Sequence, residues 1–357
     1  MKTYIKFITL IYFKSLFFVF FIMMSLVFIL NLLSEIEFFK NVNVGINFTL
    51  FLSLLNSPSL IFEMFPFIML ITIQLFFIKI FENKEIDIFK YSGLKNLSIL
   101  KILGVLSILT GLFVITLFYS FSSNLKNVYL ELKSNYTTDG KYLAVITKNG
   151  LWIKDKVDNK IIITNSSSID QNYLINNFIT IFDENFKVLK NIKSKKIDIT
   201  KKNWKIQNPR IYVINTYVDQ QEINLKTNFD LKRVQTLYSN LSALSIFKLY
   251  ELRKNYQKLK YSITDIDLHL LKLIFYPIYL FLMALFSSLI MLNIKKIKSS
   301  TFKIFIGLFF SVIIYYFNNF SYVLGGTERI SLILSTSIPL LFLASINILM
   351  LYKVNDK

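Results

Sequence analysis

Cysteine is missing from the 357 residues, and histidine occurs once, at His269. No disulfide, thiolate nucleophile or Cys/His zinc site is therefore available, and the redox compartment stays unread. No His-based triad, nucleophile elbow or metal-ligand cluster can be assembled from such a set. His269 itself sits at the mouth of an apolar run, where water or backbone satisfies a histidine more readily than a metal does. A phosphate-binding loop is missing too: Gly325-Gly326 is followed by Thr327, Glu328 and Arg329, where such a loop needs Lys and then Ser or Thr. Arginine is confined to Arg210, Arg233, Arg253 and Arg329. Since arginine is the usual choice for bidentate phosphate reading, the net charge of +19 reads as a bias toward Lys, Asn, Ile and Phe, not as a nucleic-acid surface. Acids within apolar runs are scarce as well. Glu63 alone falls in one, placed near the outer end of that run, so proton coupling through mid-depth carboxylates is not expected. These absences together predict a non-catalytic chain without cofactor or metal and without affinity for nucleic acid.

What the chain does have is apolar length. It is 54% hydrophobic and 16% aromatic, with 36 Phe and 20 Tyr mostly in long runs, far too apolar for an ordinary soluble protein. Six runs are long enough to cross a bilayer. They lie at about Ser15 to Leu33, Ser57 to Ile80, Lys101 to Ser120, Leu270 to Leu292, Phe302 to Leu324 and Ile330 to Leu351. The first is too long for a signal-peptide core and lacks a small-x-small cleavage site, so it reads as a retained helix. Glu35, Glu37 and Lys40 follow it in a short loop. Pro66 is expected to kink the second span by removing a backbone bond and crowding the preceding turn. Lysines 2, 6 and 14, the basic stretch from Lys79 to Lys101, and the loop with Lys295, Lys296, Lys298 and Lys303 alternate as the positive-inside rule requires. Both termini are then cytoplasmic and the segment between spans three and four lies outside, in the periplasm of a bacterial inner membrane.

That central segment changes period from helical to two. Short strands are predicted at Tyr142 to Thr147, Leu151 to Lys154, Lys160 to Thr164, Asn177 to Phe182, Phe186 to Ile192, Lys196 to Thr200, Trp204 to Gln207 and Arg210 to Val218. Asp158-Asn159, Asp183-Glu184-Asn185 and Asn208-Pro209 separate them as turns. Strands at such spacing suggest a sandwich, jelly roll or partly open barrel. An amphipathic helix follows at about Leu244 to Lys260, with Leu249, Leu252, Tyr256 and Leu259 on one face. The expected architecture is a six-helix, 3+3 membrane protein with an inserted all-β, jelly-roll-like periplasmic domain. Its divisions are helices one to three in 1–122, the β domain in 123–243, the connecting helix in 244–268, and helices four to six in 269–357.

Between spans two and three, 83–93 has the marks of a short cytoplasmic helix. Asn83 can cap it, Glu85 and Asp87 suit its first turn, Lys90 its last, and Gly93 can end it. Ile86 and Phe89 would give it an apolar edge. Such a helix either lies on the bilayer or couples to a cytoplasmic ATPase, with Glu85 meeting a basic residue there.

Four motifs in order carry a family resemblance. They are Ser57-Pro58 with Phe65-Pro66; Glu85-Ile-Asp-Ile-Phe-Lys-Tyr-Ser-Gly93; Gly150-Leu-Trp-Ile-Lys-Asp155 followed by Ile161-Ile-Ile; and Ala243-Leu-Ser-Ile246 with Lys272 and Pro277. On these residues and the 3 + domain + 3 layout, the chain resembles the lipopolysaccharide-export permeases LptF/LptG (YjgP/YjgQ) over essentially its whole length. The Gly-Leu-Trp element resembles the LptG side more than LptF.

The resemblance implies a permease subunit that works with an LptF-like partner, an LptB-like ATPase dimer, and LptC-like and LptA-like periplasmic proteins. Together these would draw lipopolysaccharide from the inner membrane. Glu85, Ile86, Phe89 and Gly93 would serve ATPase coupling. In some LptG-like chains the outer end of span one carries several lysines, implied to hold lipid phosphates. Here that end offers only Lys40, and Lys126 and Lys133 stand as substitutes, with Trp152 a further lipid-contact candidate. The alternatives are an LptF-type paralogue, a membrane-anchored periplasmic sensor or scaffold, and a mechanical-transmission permease. Six spans exceed what an anchor needs, and permeases of the mechanical kind place their large domain after the first span.

Overall fold

The structure is a computed structural model, and it describes residues 3–40, 44–91, 93–134, 136, 151–170, 172–213, 216–231, 234, 240–258, 263–293 and 299–355. The strand expected at 142–147, Gly150 and the loop lysines at 295, 296 and 298 lie outside this set. The chain divides into two compact units, 1–125 with 264–357, and 126–263.

The first unit is helical: α1 (Thr3–Phe38), α2 (Ile46–Glu82), α3 (Glu85–Tyr91), α4 (Asn96–Phe113), a π-helical turn (Val114–Phe118), the start of α5 (Tyr119–Ser134), then α7 (Thr264–Asn293), α8 (Ser300–Gly326) and α9 (Leu332–Asn355). Six of these stretches are long and apolar enough to span a membrane. The helices exceed the runs read from sequence. α1 continues to Phe38, so the expected loop at 35–40 is mostly helix and Glu35 is buried in it. α2 begins at Ile46, which puts Glu63 near the middle of the helix and not at its outer end. Span three continues through the π-turn to Ser134 instead of stopping at Ser120. Hydropathy marks only the most apolar stretch of a helix, so polar residues at either end are cut off when it alone sets the bounds.

α2 and α7 form the centre. α2 packs on α1, α7 and α8, and α7 on α2, α4, α8 and α9. Aligned apolar helices in lipid gain nothing from burial against each other, so close approach and internal polar bonds must hold them. Both are present. Gly111 of α4 sits where an added Cβ would come 2.8 Å from the Pro277 Cα. Tyr12 and Thr110 share a hydrogen bond of 2.8 Å, and Asn56 Nδ2 donates to Asn31 Oδ1 at 3.0 Å while Asn31 Nδ2 donates to the Ser53 carbonyl at 3.1 Å. Pro66 cannot donate to the Phe62 carbonyl four residues back. The Tyr276 hydroxyl of α7 donates to that carbonyl at 2.6 Å, and the Phe62 and Tyr276 rings stack at 4.8 Å.

The second unit holds one antiparallel sheet: β1 (Leu151–Val157), β2 (Lys160–Asp170), β3 (Tyr173–Phe182), β4 (Val188–Asp198), β5 (Asn203–Gln207), β6 (Arg210–Val213), β7 (Thr216–Asp219) and β8 (Glu222–Lys226). The two expected strands at 186–192 and 196–200 are one, β4. The single strand expected at 210–218 is the β6–β7 hairpin, and β8 went unforeseen. Register explains the difference. β5 and β6 face the same edge of β4 without a slip, Lys196 opposite Gln207 and Lys193 opposite Arg210. β8 and β7 continue that register, Gln207 opposite Glu222 and Arg210 opposite Asp219. Asn208 (φ +45°) and Pro209 interrupt the pattern, but Asn208 N–H still donates to the Gln221 carbonyl at 2.8 Å. The topology is therefore a meander of six long antiparallel strands. Across the outermost one, the Arg210 guanidinium bonds Asp219 and holds that carboxyl below the usual carboxylate range.

The sheet curls far enough for its first and last strands to meet at one end. Asp155 of β1, itself buried, accepts from the Asn228 backbone N–H at 2.7 Å and from Asn228 Nδ2 at 2.8 Å. Lys226 reaches Asp158 at 3.5 Å beside it. One face of the roll packs Leu151, Ile153, Ile179, Ile192, Trp204 and Phe229 into a single core, and Trp204 Nε1–H donates to the Phe229 carbonyl at 2.8 Å. After the roll comes α6 (Ile246–Lys258), which starts two residues later than foreseen and buries Leu249 and Leu252; Leu259 and Lys260 lie outside the described residues.

Both tryptophans lie in this unit, so tryptophan emission from the intact chain reports on it alone. Asp155→Ala strips Asn228 of its acceptor and should lower the unit's stability by about 2 kcal/mol. The denaturant midpoint of that emission in detergent-solubilised chain measures this; an unshifted midpoint would mean the strand edges are joined by something else.

Candidate functional site

Two places gather the residues that matter, and one was foreseen. The first is α3. Lys84 leaves α2 with φ +55°, and Asn83 Nδ2 donates to Glu85 Oε1 at 3.2 Å, so Asn83 tethers the Glu85 side chain as the helix starts. At the other end Gly93 has φ +80°, and Leu94 N–H donates to the Phe89 carbonyl at 2.8 Å. That bond, six residues closing on one with glycine left-handed between, is a Schellman close. Nothing lies within 4 Å of a Cβ built on Gly93, so the requirement for glycine is purely conformational.

The faces of α3 differ from expectation. Phe89 is buried, its ring edge-on to Phe7 of α1 at 6.0 Å. It docks the helix onto its own chain and does not offer an outward edge. Ile88 and Tyr91 point outward instead, at 63% and 92% exposure. The side chain of Ile86 is outside the described set. Glu85 keeps one carboxylate oxygen, Oε2, without a hydrogen-bond partner among the described residues.

The lipid candidates are dispersed. Lys40 is exposed past the end of α1. In the other unit, Lys126 and Lys133 are buried, Lys126 donating to Ser242 Oγ at 2.7 Å and Lys133 to the Tyr129 hydroxyl at 2.8 Å. Neither presents a free surface ammonium. Trp152 is 55% exposed between buried Leu151 and Ile153, so it faces away from the core of the roll. The Gly-Leu-Trp motif thus splits by strand alternation: Leu151 and Asp155 point inward and build the roll, while Trp152 points out.

The second place was missed. Among α2, α7, α8 and α9 lies a small cavity of about 30 Å³, lined by Glu63, Lys272, Tyr279, Tyr315, Asn318 and Tyr322 among others. Lys272 Nζ stands 5.5 Å from the centre of the Tyr322 ring. The signal was in the sequence: two spans each carry one isolated charge, of opposite sign, and such charges face a partner or a cavity more often than lipid. His269 lies nearby on α7 and meets the Tyr119 hydroxyl at 3.0 Å, a plain structural partner. Among the described residues no cluster of acids and histidine could hold a metal.

Gly93→Ala forces a Cβ into the left-handed region and should loosen the end of α3 by about 1 kcal/mol. Local opening then rises about fivefold, read as faster limited trypsin cleavage at Lys84, Lys90 or Lys95 in the solubilised chain. An unchanged cleavage rate would contradict the Schellman close.

A comparison with curated proteins finds no match. The family profile described as "Lipopolysaccharide export system permease LptF/LptG" matches residues 6–353, nearly the whole chain and both units of it. With six helices long and apolar enough to span a membrane and one antiparallel β unit, this chain belongs to the LptF/LptG family of lipopolysaccharide export permeases.

Proposed function

We propose that the chain is the LptG-side permease of an ATP-driven exporter, placed in a bacterial inner membrane with its β unit in the periplasm. It works beside an LptF-like permease, an LptB-like ATPase dimer on the cytoplasmic face, and LptC-like and LptA-like proteins that receive the lipid. The carrying observation is the family match across residues 6–353 of a chain whose six spans include one short, capped helix between the second and third. The placement of basic loops supports the orientation, and the Gly150-Leu151-Trp152 element supports the LptG side.

Work enters this scheme through α3. Glu85 heads the helix, its Oε2 buried and without a hydrogen-bond partner among the described residues, and Ile88 and Tyr91 offer apolar contact beside it. A basic residue of the ATPase meeting Glu85 would complete a charge-assisted bond. Phe89 on Phe7 then passes the movement of α3 into α1, the first span. On the far side, the β unit receives the lipid. The energetics require such a relay. Each methylene left in water costs about 0.8 kcal/mol, so one chain of about a dozen costs on the order of 10 kcal/mol. A multi-chain lipid must therefore pass from one apolar surface directly to the next.

Glu85→Ala should reduce co-purification of the ATPase, or lipid-stimulated ATP hydrolysis, by about tenfold. If both stay at the wild-type level, α3 is not the coupling element. Photocrosslinkers in β1 and β2 test the relay. Adducts with lipopolysaccharide are expected within 151–164, at exposed Trp152 among them; absence of adducts throughout that stretch would favour a scaffold.

A further inference from the structure

α6 (Ile246–Lys258) carries an outward face that does not suit water. Its buried Leu249 and Leu252 define the packed side. With successive side chains about 100° apart, Phe247 and Lys254 fall opposite the midpoint of that pair, and Tyr250 falls beside them. Phe247 is 86% exposed and Tyr250 48%. The outer side thus presents two aromatic rings next to exposed Lys248 and Lys254. Over 246–260 the sequence adds Arg253, Lys258 and Lys260 to these lysines, with Glu251 as the sole acid. Aromatic rings beside a basic run suit the boundary between headgroups and acyl chains. There the rings enter the apolar layer while the ammonium groups stay with lipid phosphate.

Both ends of α6 are tied to chain that crosses the bilayer. Before it, Ser242 N–H donates to Asn240 Oδ1 at 3.1 Å, and Ser242 Oγ accepts from Lys126 Nζ at 2.7 Å. Lys126 belongs to α5, in the continuous helical run that forms span three. It stands six residues past Ser120, where the apolar run ends, or about 9 Å along the helix. After α6, residues 259–263 alone precede Thr264, the first residue of α7 and of span four. A link of that length reaches about 20 Å at full extension. A lipid surface is therefore within reach of both ends of the helix.

We propose that α6 is an interfacial anchor lying in the bilayer surface, with Phe247 and Tyr250 inserted among the lipid chains and Lys248 and Lys254 at headgroup phosphates. It rests on the membrane-spanning character of the flanking helices and not on which lipid is exported. The anchor sets the depth from which the chain re-enters the bilayer at Thr264, and it tethers to that surface the β unit whose chain leads into it.

The chain has no cysteine, so a single Cys replacement carries a spin label at one position only. Full-length chain would be labelled through Phe247→Cys, through Tyr250→Cys or, as a reference in an exposed turn, through Glu184→Cys. Each is reconstituted in vesicles of phosphatidylethanolamine and phosphatidylglycerol. Collision of the label with oxygen, which concentrates in lipid, is compared with collision with a water-soluble nickel chelate. The oxygen-to-nickel ratio should be about fivefold higher at 247 and 250 than at 184. A ratio at both helix positions equal to that at 184 overturns the proposal, since α6 then stands in water. Exclusion of both reagents overturns it too, in favour of a protein partner covering the rings. Phe247→Ser should lower the ratio at a Tyr250→Cys label by about threefold; no change overturns the part assigned to Phe247. Both tryptophans lie in this unit, so wild-type emission establishes in each variant that it is folded.

Discussion

A helix in lipid must satisfy every backbone carbonyl from within the protein, and Pro66 leaves one unsatisfied in the middle of α2. The carbonyl of Phe62 is taken up by Tyr276 on the facing helix. Much of the bundle's arrangement depends on this bond. It sets the height of α7 against α2, brings the Phe62 and Tyr276 rings into a stack, and places Pro277 where Gly111 of α4 can close on it. The π-turn at Val114–Phe118 then turns Tyr119 toward the same point, where its ring packs on Phe62 and its hydroxyl meets His269. Prolines in two adjacent helices thus give rise to reciprocal contacts between them. Just beyond them the packing opens into the cavity that holds Glu63 and Lys272.

The β unit solves a different problem with a similar device. A meander of antiparallel strands has two edges, and exposed edges invite pairing with other chains. Asp155 draws the last strand's exit, at Asn228, onto the first strand. The sheet is joined at that end; at the other, where Leu151 and Glu222 begin their strands, the first and last strands are not paired among the described residues. The buried aspartate of the family motif is therefore a fastener, and its neighbour Trp152 on the outer face has no part in that closure.

The legible part of this architecture was the part governed by periodicity. Six apolar runs, the change to period two near Leu151, and the capped segment ending at Gly93 all follow from local rules that leave a trace in single residues. What stayed hidden depends on register and on facing partners. Nothing local distinguishes the β6–β7 hairpin from a straight strand, since 214–215 carry no Asn-Gly or Asp-Gly turn. Nothing local shows that Phe89 turns inward to Phe7 while Ile88 turns out, because a seven-residue helix has too few positions to define a stripe. Lys126 and Lys133 were read as surface cations because lysine usually is one; their burial depends on Ser242 and Tyr129, one of them more than a hundred residues away. Glu63 and Lys272 were each noticed, but their shared cavity exists only once α2 and α7 are set side by side.

The magnitudes separate what the charges can do from what the apolar faces must do. A charge-assisted contact to a phosphate is worth about 1.5–3 kcal/mol, whereas exposing one acyl chain costs on the order of 10 kcal/mol. Polar contact with a lipid headgroup can therefore orient and select a lipid without supplying the work of lifting it. That work needs apolar surface to offset what the bilayer gives up, and the outer helices carry it: Phe17, Phe18 and Phe21 on α1, Phe305 and Phe309 on α8, and Leu341 and Leu349 on α9 all lie exposed. Weak polar contact with the head is also what turnover favours. A grip strong enough to rival the acyl term would trap the lipid in the permease.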